Sequence, residues 1–239
     1  MTITIVSIYP ALLGTYGDAG NVLALRHRAG LHGLATEVVN VAAGEPIPAG
    51  GDLYVLGGGE DSAQTAAARG IRADGSLRTA FERGAALLAV CAGYQLLGEY
   101  FPDATGAPAE GLGFIDLRTD RLPRRAVGEL AADPQLPGLP RLTGYENHGG
   151  ATHRGPGVEP LAAVVAGVGN GDGTEGAIAG HVIGTYLHGP GLARNPAVAD
   201  LLLSWCVGET LEPLLEPDVE ALREERLRSV LGDGWNRPG

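Results

Sequence analysis

One cysteine divides the stretch Ala85-Ala86-Leu87-Leu88-Ala89-Val90-Cys91-Ala92-Gly93-Tyr94-Gln95-Leu96-Leu97-Gly98 into two different patterns. Residues 85–90 are small or apolar, which is typical of a strand buried in a parallel sheet, and the segment from Ala92 onward has Leu96 and Leu97 on one face, as in a helix. Cys91 therefore stands at a tight strand-to-helix turn, the layout of a nucleophile elbow. Backbone N–H groups at the start of the helix favour the thiolate, which is the form that attacks. The alternative is a core cysteine without a chemical role, since free cysteines are often buried.

The residues before this stretch predict the sheet to which its strand belongs. Runs of β-branched and apolar residues over 2–8, 36–41 and 52–56 are typical of strands, and a helix is predicted over 21–31. Strand, helix and strand in this order indicate right-handed βαβ units. We therefore expect an α/β fold with a central, mainly parallel sheet flanked by helices.

Three glycines, Gly57, Gly58 and Gly59, follow the third predicted strand. They allow a ligand to approach the backbone and leave N–H groups that can point at it, which suits an oxyanion hole; a flexible turn is the alternative. Because open α/β sheets bind ligands beyond the carboxyl ends of their strands, we expect these glycines and Cys91 at one edge of the sheet. Asp18, in the loop after the first strand, is as well suited to cap the following helix as to act in a site.

The second half predicts shorter strands in an antiparallel or mixed arrangement. The predicted segments are 114–118, 126–130, 142–146, 161–168, 176–179 and 181–187. Residues 145–150 form a polar, turn-forming cluster, and Gly180 fits the turn of a hairpin between the last two strands. Helices are predicted over 195–206 and in the charged stretch after Pro217, where charge pairs have i,i+4 spacing.

The composition excludes several classes of function. Among 239 residues, 28 are acidic and 17 are basic, and the net charge of −11 argues against nucleic acid or an anionic membrane surface as the partner. All 17 basic residues are arginine, so a Walker-type phosphate loop, a pyridoxal Schiff base and a Ser-Lys dyad are excluded. Two cysteines, Cys91 and Cys206, are too few for a disulfide framework and indicate a reducing compartment. No signal peptide and no apolar run of roughly 18 residues is present, so we expect a cytoplasmic protein without a transmembrane segment.

A thiol nucleophile needs a base, and two of the six histidines are candidates. His188 stands at the end of the last predicted strand and His148 lies in a glycine-rich turn, so both could face Cys91 from loops. The strand-end position favours His188, and His148 stays open as its rival. Arg124 and Arg125 stand together at the mouth of a predicted strand, where they fit either a solvated surface or recognition of a carboxylate.

Four motifs in collinear order resemble the class I glutamine amidotransferases of the cobyric-acid-synthase-like branch. They are Leu56-Gly57-Gly58-Gly59-Glu60-Asp61, Val90-Cys91-Ala92-Gly93-Tyr94-Gln95, Gly144-Tyr145-Glu146-Asn147-His148-Gly149-Gly150 and Gly184-Thr185-Tyr186-Leu187-His188-Gly189-Pro190. Two more, Tyr16-Gly17-Asp18-Ala19-Gly20-Asn21 and Arg125-Ala126-Val127-Gly128, are most similar to the glutaminase subunits of lipid II isoglutaminyl synthases within that branch. The resemblance implies a flavodoxin-like class I fold, with residues 1–207 as the glutamine amidotransferase domain and residues 208–239 as a helical tail on that domain or on a partner.

The resemblance also implies roles for the matching residues. Cys91 would attack the side-chain amide of L-glutamine, and His188 would act as the base. Backbone N–H groups of Gly58 or Gly59 and of Ala92 would hold the oxyanion. The implied substrate pocket consists of Arg125, which holds the glutamine, together with Gln95, Tyr145, Asn147 and His148.

One position departs from the usual class I pattern. Ordinary members carry a glutamate two residues after the catalytic histidine, and Pro190 stands there in this chain. A Cys–His dyad, or an orienting group from elsewhere in the chain, is therefore expected.

Ammonia released at Cys91 needs an activated acceptor, and a chain without lysine has no phosphate loop to activate a carboxylate. The resemblance implies a heterodimer with a Mur-ligase-like (MurT-like) synthetase subunit. That subunit would bind ATP and Mg²⁺ and amidate the D-glutamate α-carboxyl of lipid II to D-isoglutamine in peptidoglycan synthesis, and no cofactor or metal is expected on this chain. Two alternatives keep the fold: a glutaminase subunit that serves a cobyrinic-acid-type carboxylate, and a stand-alone cysteine peptidase or γ-glutamyl hydrolase.

Overall fold

The computed structural model describes residues 1–232. Its strands are β1 (Thr2–Ile8), β2 (Ala35–Val41), β3 (Leu53–Leu56), β4 (Ala86–Val90), β5 (Tyr100–Pro102), β6 (Pro108–Glu110), β7 (Leu117–Pro134), β8 (Leu142–Arg154), β9 (Ala162–Ala166), β10 (Thr174–Glu175), β11 (Ala177–Ala179) and β12 (Val182–Thr185). Its helices are α1 (Gly20–Leu31), α2 (Asp61–Asp74), α3 (Ser76–Glu82), α4 (Ala92–Leu96), α5 (Gly191–Arg194), α6 (Pro196–Val207) and α7 (Pro217–Leu231).

The first sheet confirms the expected α/β fold with a mainly parallel sheet. Its strands run in the order β11-β12-β4-β3-β1-β2, and every neighbouring pair is parallel except β11 with β12. The five parallel strands follow the flavodoxin-like order 2-1-3-4-5. β3 and β4 are buried along their whole length, as central strands of a parallel sheet should be. The loops after β1, β3, β4 and β12 consequently open at the same carboxyl edge.

The second sheet is antiparallel except where β5 pairs with β7, and its order is β10-β9-β7-β5-β6 with β8 paired to β7. The predicted segment 126–130 and the last two residues of the predicted segment 114–118 belong to one long strand, β7, whereas residues 114–116 precede it. β7 crosses an irregularity between Arg121 and Ala126. The predicted turn at 145–150 is also wrong, because β8 runs straight through it. The two strands pair on both sides of the irregularity, and cross-strand pairing outweighs the local turn preference of asparagine and glycine.

The C-terminal helix α7 packs on the rest of the chain through two buried side chains, Leu227 and Arg223. The Arg223 guanidinium donates to the carbonyls of Arg141 (2.9 Å) and Arg194 and to Oδ1 of Asn195 (3.0 Å). These bonds join the tail to the segments that flank β8 and α6. Residues 233–239, the end of the predicted tail, lie outside the described residues.

Within residues 1–232, no helix combines the length and the apolar character that crossing a lipid bilayer requires.

Candidate active site

Cys91 occupies a strained turn between β4 and α4. Its φ and ψ are 51° and −105°, a region that residues other than glycine rarely adopt. The N–H of Cys91 donates to the Thr185 carbonyl (2.8 Å), and the N–H of Gly93 donates to the Gly57 carbonyl (3.1 Å). A Cβ on residue 93 would come 2.7 Å from the carbonyl oxygen of Leu56, so a larger residue does not fit. This packing has the form of the nucleophile elbow that the small residues around Cys91 predict.

His188 reaches the same edge just beyond the end of β12. Its backbone bridges to Tyr145: the His188 N–H donates to the Tyr145 carbonyl (2.8 Å), and the Tyr145 N–H donates to the His188 carbonyl (3.5 Å). Its Nδ1 lies 3.2 and 3.1 Å from the two carboxylate oxygens of Asp18, in the loop after β1. Both side chains are buried. Cys91 lies beside this pair, since a Cβ added at Gly58 would be 2.6 Å from Cε1 of His188 and 3.3 Å from Cβ of Cys91. Asp18, His188 and Cys91 thus have the arrangement of a catalytic triad.

The second ring nitrogen of His188 is available for proton transfer. Nε2 is buried and has no aligned hydrogen-bond partner among residues 1–232, and catalytic hydrogen bonds often align only once substrate is bound. Burial lowers the pKa of His188, but the Asp18 carboxylate and the neighbouring Cys91 thiol, which both favour the protonated ring, raise the pKa to about 10. A protonated His188 next to Cys91 can donate a proton to a leaving group.

Asp18 is the orienting group that the sequence left unassigned. The helix-capping interpretation of this residue is wrong, because Ala19 occupies the N-cap of α1 and no side chain caps that helix. The Asp18 carboxylate instead accepts hydrogen bonds from Nδ1 of His188 and from the N–H of Gly58 (2.8 Å). The carboxylate is therefore placed to orient the His188 ring, and Pro190 stands two residues after that histidine.

Of the three backbone N–H groups predicted to hold the oxyanion, one is already hydrogen-bonded within the protein and two are not. Gly58 already donates its N–H to Asp18. No hydrogen bond in the described part of the chain uses the N–H of Gly59 or of Ala92. These two N–H groups flank Cys91 from the glycine loop and from the start of α4, and both remain available to a ligand.

Cys91 opens into a pocket with polar walls. Its lining includes Tyr16, Glu60, Gln64, Gln95, Arg125, Asn147 and His148. Arg125 is exposed and donates to Oδ1 (2.7 Å) and the carbonyl (3.3 Å) of Asn147 and to the hydroxyl of Tyr16 (3.4 Å). The fold therefore brings Arg125 and Asn147 to the same pocket as the thiol.

Gln95 lines the pocket with its amide group already engaged. Its Nε2 donates to the Tyr186 hydroxyl (3.2 Å), and its Oε1 accepts from Nε2 of Gln64 (2.9 Å). Gln64 also donates to the Ala92 carbonyl (3.2 Å), so the two amides brace the start of α4.

His148 is held in a position that does not suit a base. Its ring stacks on Tyr186 with centroids 3.6 Å apart, Nδ1 lies 3.0 Å from the Gly150 carbonyl, and Nε2 lies 3.3 Å from the Glu146 carboxylate. Both ring nitrogens thus have partners away from the thiol. Tyr145, also predicted for the pocket, meets the site through its backbone bridge to His188.

Sequence reasoning missed four residues of the site in their present roles: Asp18, Tyr16, Glu60 and Gln64. Tyr16 and Asp18 follow β1, and Glu60 and Gln64 follow the glycine loop after β3. A signal existed, since polar residues that follow strands of a parallel sheet collect at one edge. Within residues 1–232, no group of three or more histidine, cysteine, aspartate or glutamate side chains is arranged to hold a metal ion.

Comparison with known proteins identifies a family of glutamine amidotransferases. Residues 4–196 match the family of CobB/CobQ-like glutamine amidotransferase domains. The chain is 34% identical over 229 residues to the lipid II isoglutaminyl synthase (glutamine-hydrolyzing) subunit GatD of Staphylococcus aureus (strain N315), an alignment that covers 94% of this chain and 93% of that protein. It is 33% identical over 207 residues to the subunit of the same name from Streptococcus pneumoniae (strain ATCC BAA-255 / R6), covering 84% of this chain and 79% of that protein.

A solved glutamine amidotransferase has the same fold. The TM-score is 0.59 at 22% identity, and the superposition covers 84% of this chain and 98% of that one.

Proposed function

Because this chain belongs to the CobB/CobQ-like glutamine amidotransferase family, we propose that it is the glutamine-hydrolysing subunit of a lipid II isoglutaminyl synthase. The observation that carries the proposal is the Asp18–His188–Cys91 arrangement at the carboxyl edge of the sheet. Alignment over 93% and 79% of the length of two lipid II isoglutaminyl synthase subunits supports the choice of acceptor.

The first half of the reaction forms a thioester. The Cys91 thiolate attacks the side-chain amide carbon of L-glutamine, and the carbonyl oxygen becomes an oxyanion. The N–H groups of Gly59 and Ala92 stabilise that oxyanion, and losing one such donor typically costs about 10²–10³ in rate. Protonated His188 gives its proton to the leaving nitrogen, so ammonia departs and the glutamyl group stays on the sulfur.

The second half regenerates the thiol. Neutral His188 takes a proton from water, and the resulting hydroxide attacks the thioester carbon. Glutamate leaves as the carbon–sulfur bond breaks, and the thiolate is restored beside a protonated His188. Asp18 keeps the proton on Nδ1 throughout, which leaves Nε2 as the nitrogen that exchanges protons.

The α-carbon of glutamine, with its amino and carboxyl groups, lies at the mouth of the pocket. The Arg125 guanidinium is exposed there, and its fork of donors suits the α-carboxylate of the substrate. Its present partners, Asn147 and the Tyr16 hydroxyl, are neutral groups that a carboxylate can replace.

Activation of the acceptor takes place on a second subunit. A Mur-ligase-like synthetase would bind ATP and Mg²⁺ and activate the D-glutamate α-carboxyl of lipid II, and ammonia from Cys91 would convert it to D-isoglutamine. The absence of lysine, and with it of a lysine-bearing phosphate loop, supports the assignment of this step to a second subunit.

The test is reconstitution with the Mur-ligase-like subunit, lipid II and ATP. Cys91→Ala should abolish amidation with glutamine and leave amidation with added ammonium salt intact. Cys206→Ala is the matched control, because burial raises the pKa of that thiol to about 12 and its sulfur contacts the Leu202 carbonyl (3.2 Å) within α6.

Two results would contradict the proposal in different ways. Glutamine-dependent amidation by Cys91→Ala would remove the thiol from the mechanism. Glutamine hydrolysis by the wild-type complex without amidation of lipid II would leave a glutaminase and require another acceptor, such as a cobyrinic-acid-type carboxylate.

A further inference from the structure

Two opposite charges meet at one hydroxyl in the active-site pocket. The Tyr16 hydroxyl donates to Oε1 of Glu60 (3.0 Å) and accepts from Nη2 of Arg125 (3.4 Å). All three residues line the pocket that contains Cys91. A carboxylate and a guanidinium that contact the same oxygen atom lie close enough to face two charges on one small molecule.

Within the part of the chain that the structure describes, neither of these charges has an ionic partner. Among the described residues, Glu60 and Arg125 form no salt bridge, and the polar partners of Arg125 are the neutral groups of Tyr16 and Asn147. The neighbouring acid, Asp61, differs, because its carboxylate lies 3.8 Å from Nη2 of Arg121. Glu60 and Arg125 are thus an anion and a cation whose charges a ligand can still neutralise.

The side chain of Glu60 lines the pocket and does not cap the helix that follows it. Glu60 is the N-cap residue of α2, yet its side chain makes no capping bond. Its carboxylate accepts from the Tyr16 hydroxyl instead. Tyr16 in turn lies over His188, with ring centroids 4.9 Å apart.

We infer that Glu60 binds the α-ammonium group of the substrate and, with Arg125, makes the site specific for a free α-amino acid. The inference rests on the proposed glutaminase function and names a specificity-determining residue for it. A free amino acid carries an ammonium and a carboxylate on one carbon, which matches an anion and a cation that share one hydroxyl. Glutamine acylated on its α-nitrogen, as in a peptide, lacks the positive charge and leaves Glu60 unpaired.

Before substrate binds, the Tyr16 hydroxyl is hydrogen-bonded to both the Glu60 carboxylate and the Arg125 guanidinium. Its donor satisfies Glu60 and its lone pair satisfies Arg125. The ammonium and carboxylate of glutamine replace these two bonds with charge-assisted ones, which are stronger.

The experiment compares hydrolysis of L-glutamine and of 4-carbamoylbutanoate, the same amide without the α-amino group, by the assembled complex. Glu60→Gln should raise the KM for glutamine about ten-fold with a much smaller change in kcat, a size expected for one charge-assisted contact at an exposed position. The preference of the enzyme for glutamine over 4-carbamoylbutanoate should fall by about the same factor. Glu82→Gln, an exposed residue at the end of α3, removes the same charge as a control.

The outcomes separate this inference from the proposed function. If Glu60→Gln keeps the wild-type preference for glutamine while the wild-type complex hydrolyses glutamine, the role of Glu60 is overturned and the glutaminase stands. The same holds if Asp61→Asn, rather than Glu60→Gln, loses the preference. If the wild-type complex neither hydrolyses glutamine nor is alkylated at Cys91 by 6-diazo-5-oxo-L-norleucine, both the function and the inference fail.

Discussion

Asp18 contacts the His188 ring at Nδ1, with its two carboxylate oxygens 3.2 and 3.1 Å from that nitrogen. The two residues are 170 positions apart and come from loops after the first and last strands of the parallel sheet. In the ordinary class I pattern the orienting acid follows the histidine by two positions in the same segment. Here Pro190 takes that position, and a separate loop supplies the acid.

Removing the charge of Asp18 should slow the chemical step. Asp18→Asn favours the wrong tautomer of His188 and no longer stabilises its protonated form, so kcat for glutamine hydrolysis should fall by about 10³-fold. The variant should also lower the pKa of His188 from about 10, and the alkaline limb of the pH–rate profile should move to lower pH. Steady-state kinetics over a series of pH values on both sides of the pKa of His188 measures both effects.

Asp120→Asn is the control for this experiment. It removes the same charge from an Asp–His pair on the surface, in which the Asp120 carboxylate lies 3.3 Å from His153 and both side chains are exposed. An unchanged alkaline limb in Asp18→Asn would show that Asp18 does not act through the proton on His188.

Gly58 leaves no room for a side chain inside the triad. A Cβ at this position would lie 2.6 Å from Cε1 of His188, 2.9 Å from the Asp18 carboxylate and 3.3 Å from Cβ of Cys91. Gly58→Ala should therefore displace His188 and lower kcat by about 10²-fold, as a misplacement of roughly 1 Å in an active site does.

The fold should survive this change, because the backbone of Gly58 does not have the positive φ that only glycine adopts readily. Near-ultraviolet circular dichroism and the melting temperature check that point. Gly50→Ala, where an added Cβ meets open space, is the control. Wild-type kcat in Gly58→Ala would mean that His188 can move aside without loss of function.

Glu175 should make the stability of the fold depend on pH. It is fully buried, accepts from the Tyr186 N–H (2.8 Å) and the Thr185 hydroxyl, and its Oε2 has no partner among residues 1–232. Burial is the main reason that the pKa of Glu175 rises from 4.5 to about 7, and hydrogen bonds from Thr185 and Tyr186 offset part of the rise. The native state therefore keeps a proton that the unfolded chain loses at lower pH.

Because the pKa of Glu175 is higher in the folded state than in the unfolded chain, the fold becomes less stable as pH rises. The contribution of Glu175 to stability is fully present below pH 4.5 and is lost as pH rises through 7, up to about 3 kcal/mol of unfolding free energy. Glu175→Gln cannot ionise, so its unfolding free energy should fall less than that of the wild type between these pH values. Urea denaturation at several pH values measures the difference, and identical pH slopes for the two proteins would contradict the prediction.

Arg223 should anchor the C-terminal helix. Arg223→Met keeps the apolar stem but leaves the Arg141 and Arg194 carbonyls and Asn195 Oδ1 without this donor. The unfolding free energy should fall by about 2–3 kcal/mol, the cost of leaving buried acceptors unsatisfied. Arg226→Met makes the same substitution at an exposed position of α7 and should change stability little. Equal stability of the two variants would show that the tail does not depend on the buried guanidinium.

The sequence by itself determined the parallel sheet, the elbow at Cys91, the glycine loop before α2 and the placement of His188 at a strand end. Each of these follows from a local pattern: an apolar run of strand length, small residues on both sides of a turn, or a polar residue where a strand stops. Such patterns lie within a few residues and need no knowledge of strand order.

Only the tertiary structure decided which loops meet at the thiol. The pairing of Asp18 with His188 and the contact of Tyr16 with both Glu60 and Arg125 join segments that are distant in the chain. They exist because β1 lies beside β3, β4 beside β12, and the long β7–β8 pair reaches the same edge. Strand order and cross-strand pairing are set by the burial of the whole sheet, which no local window of sequence contains.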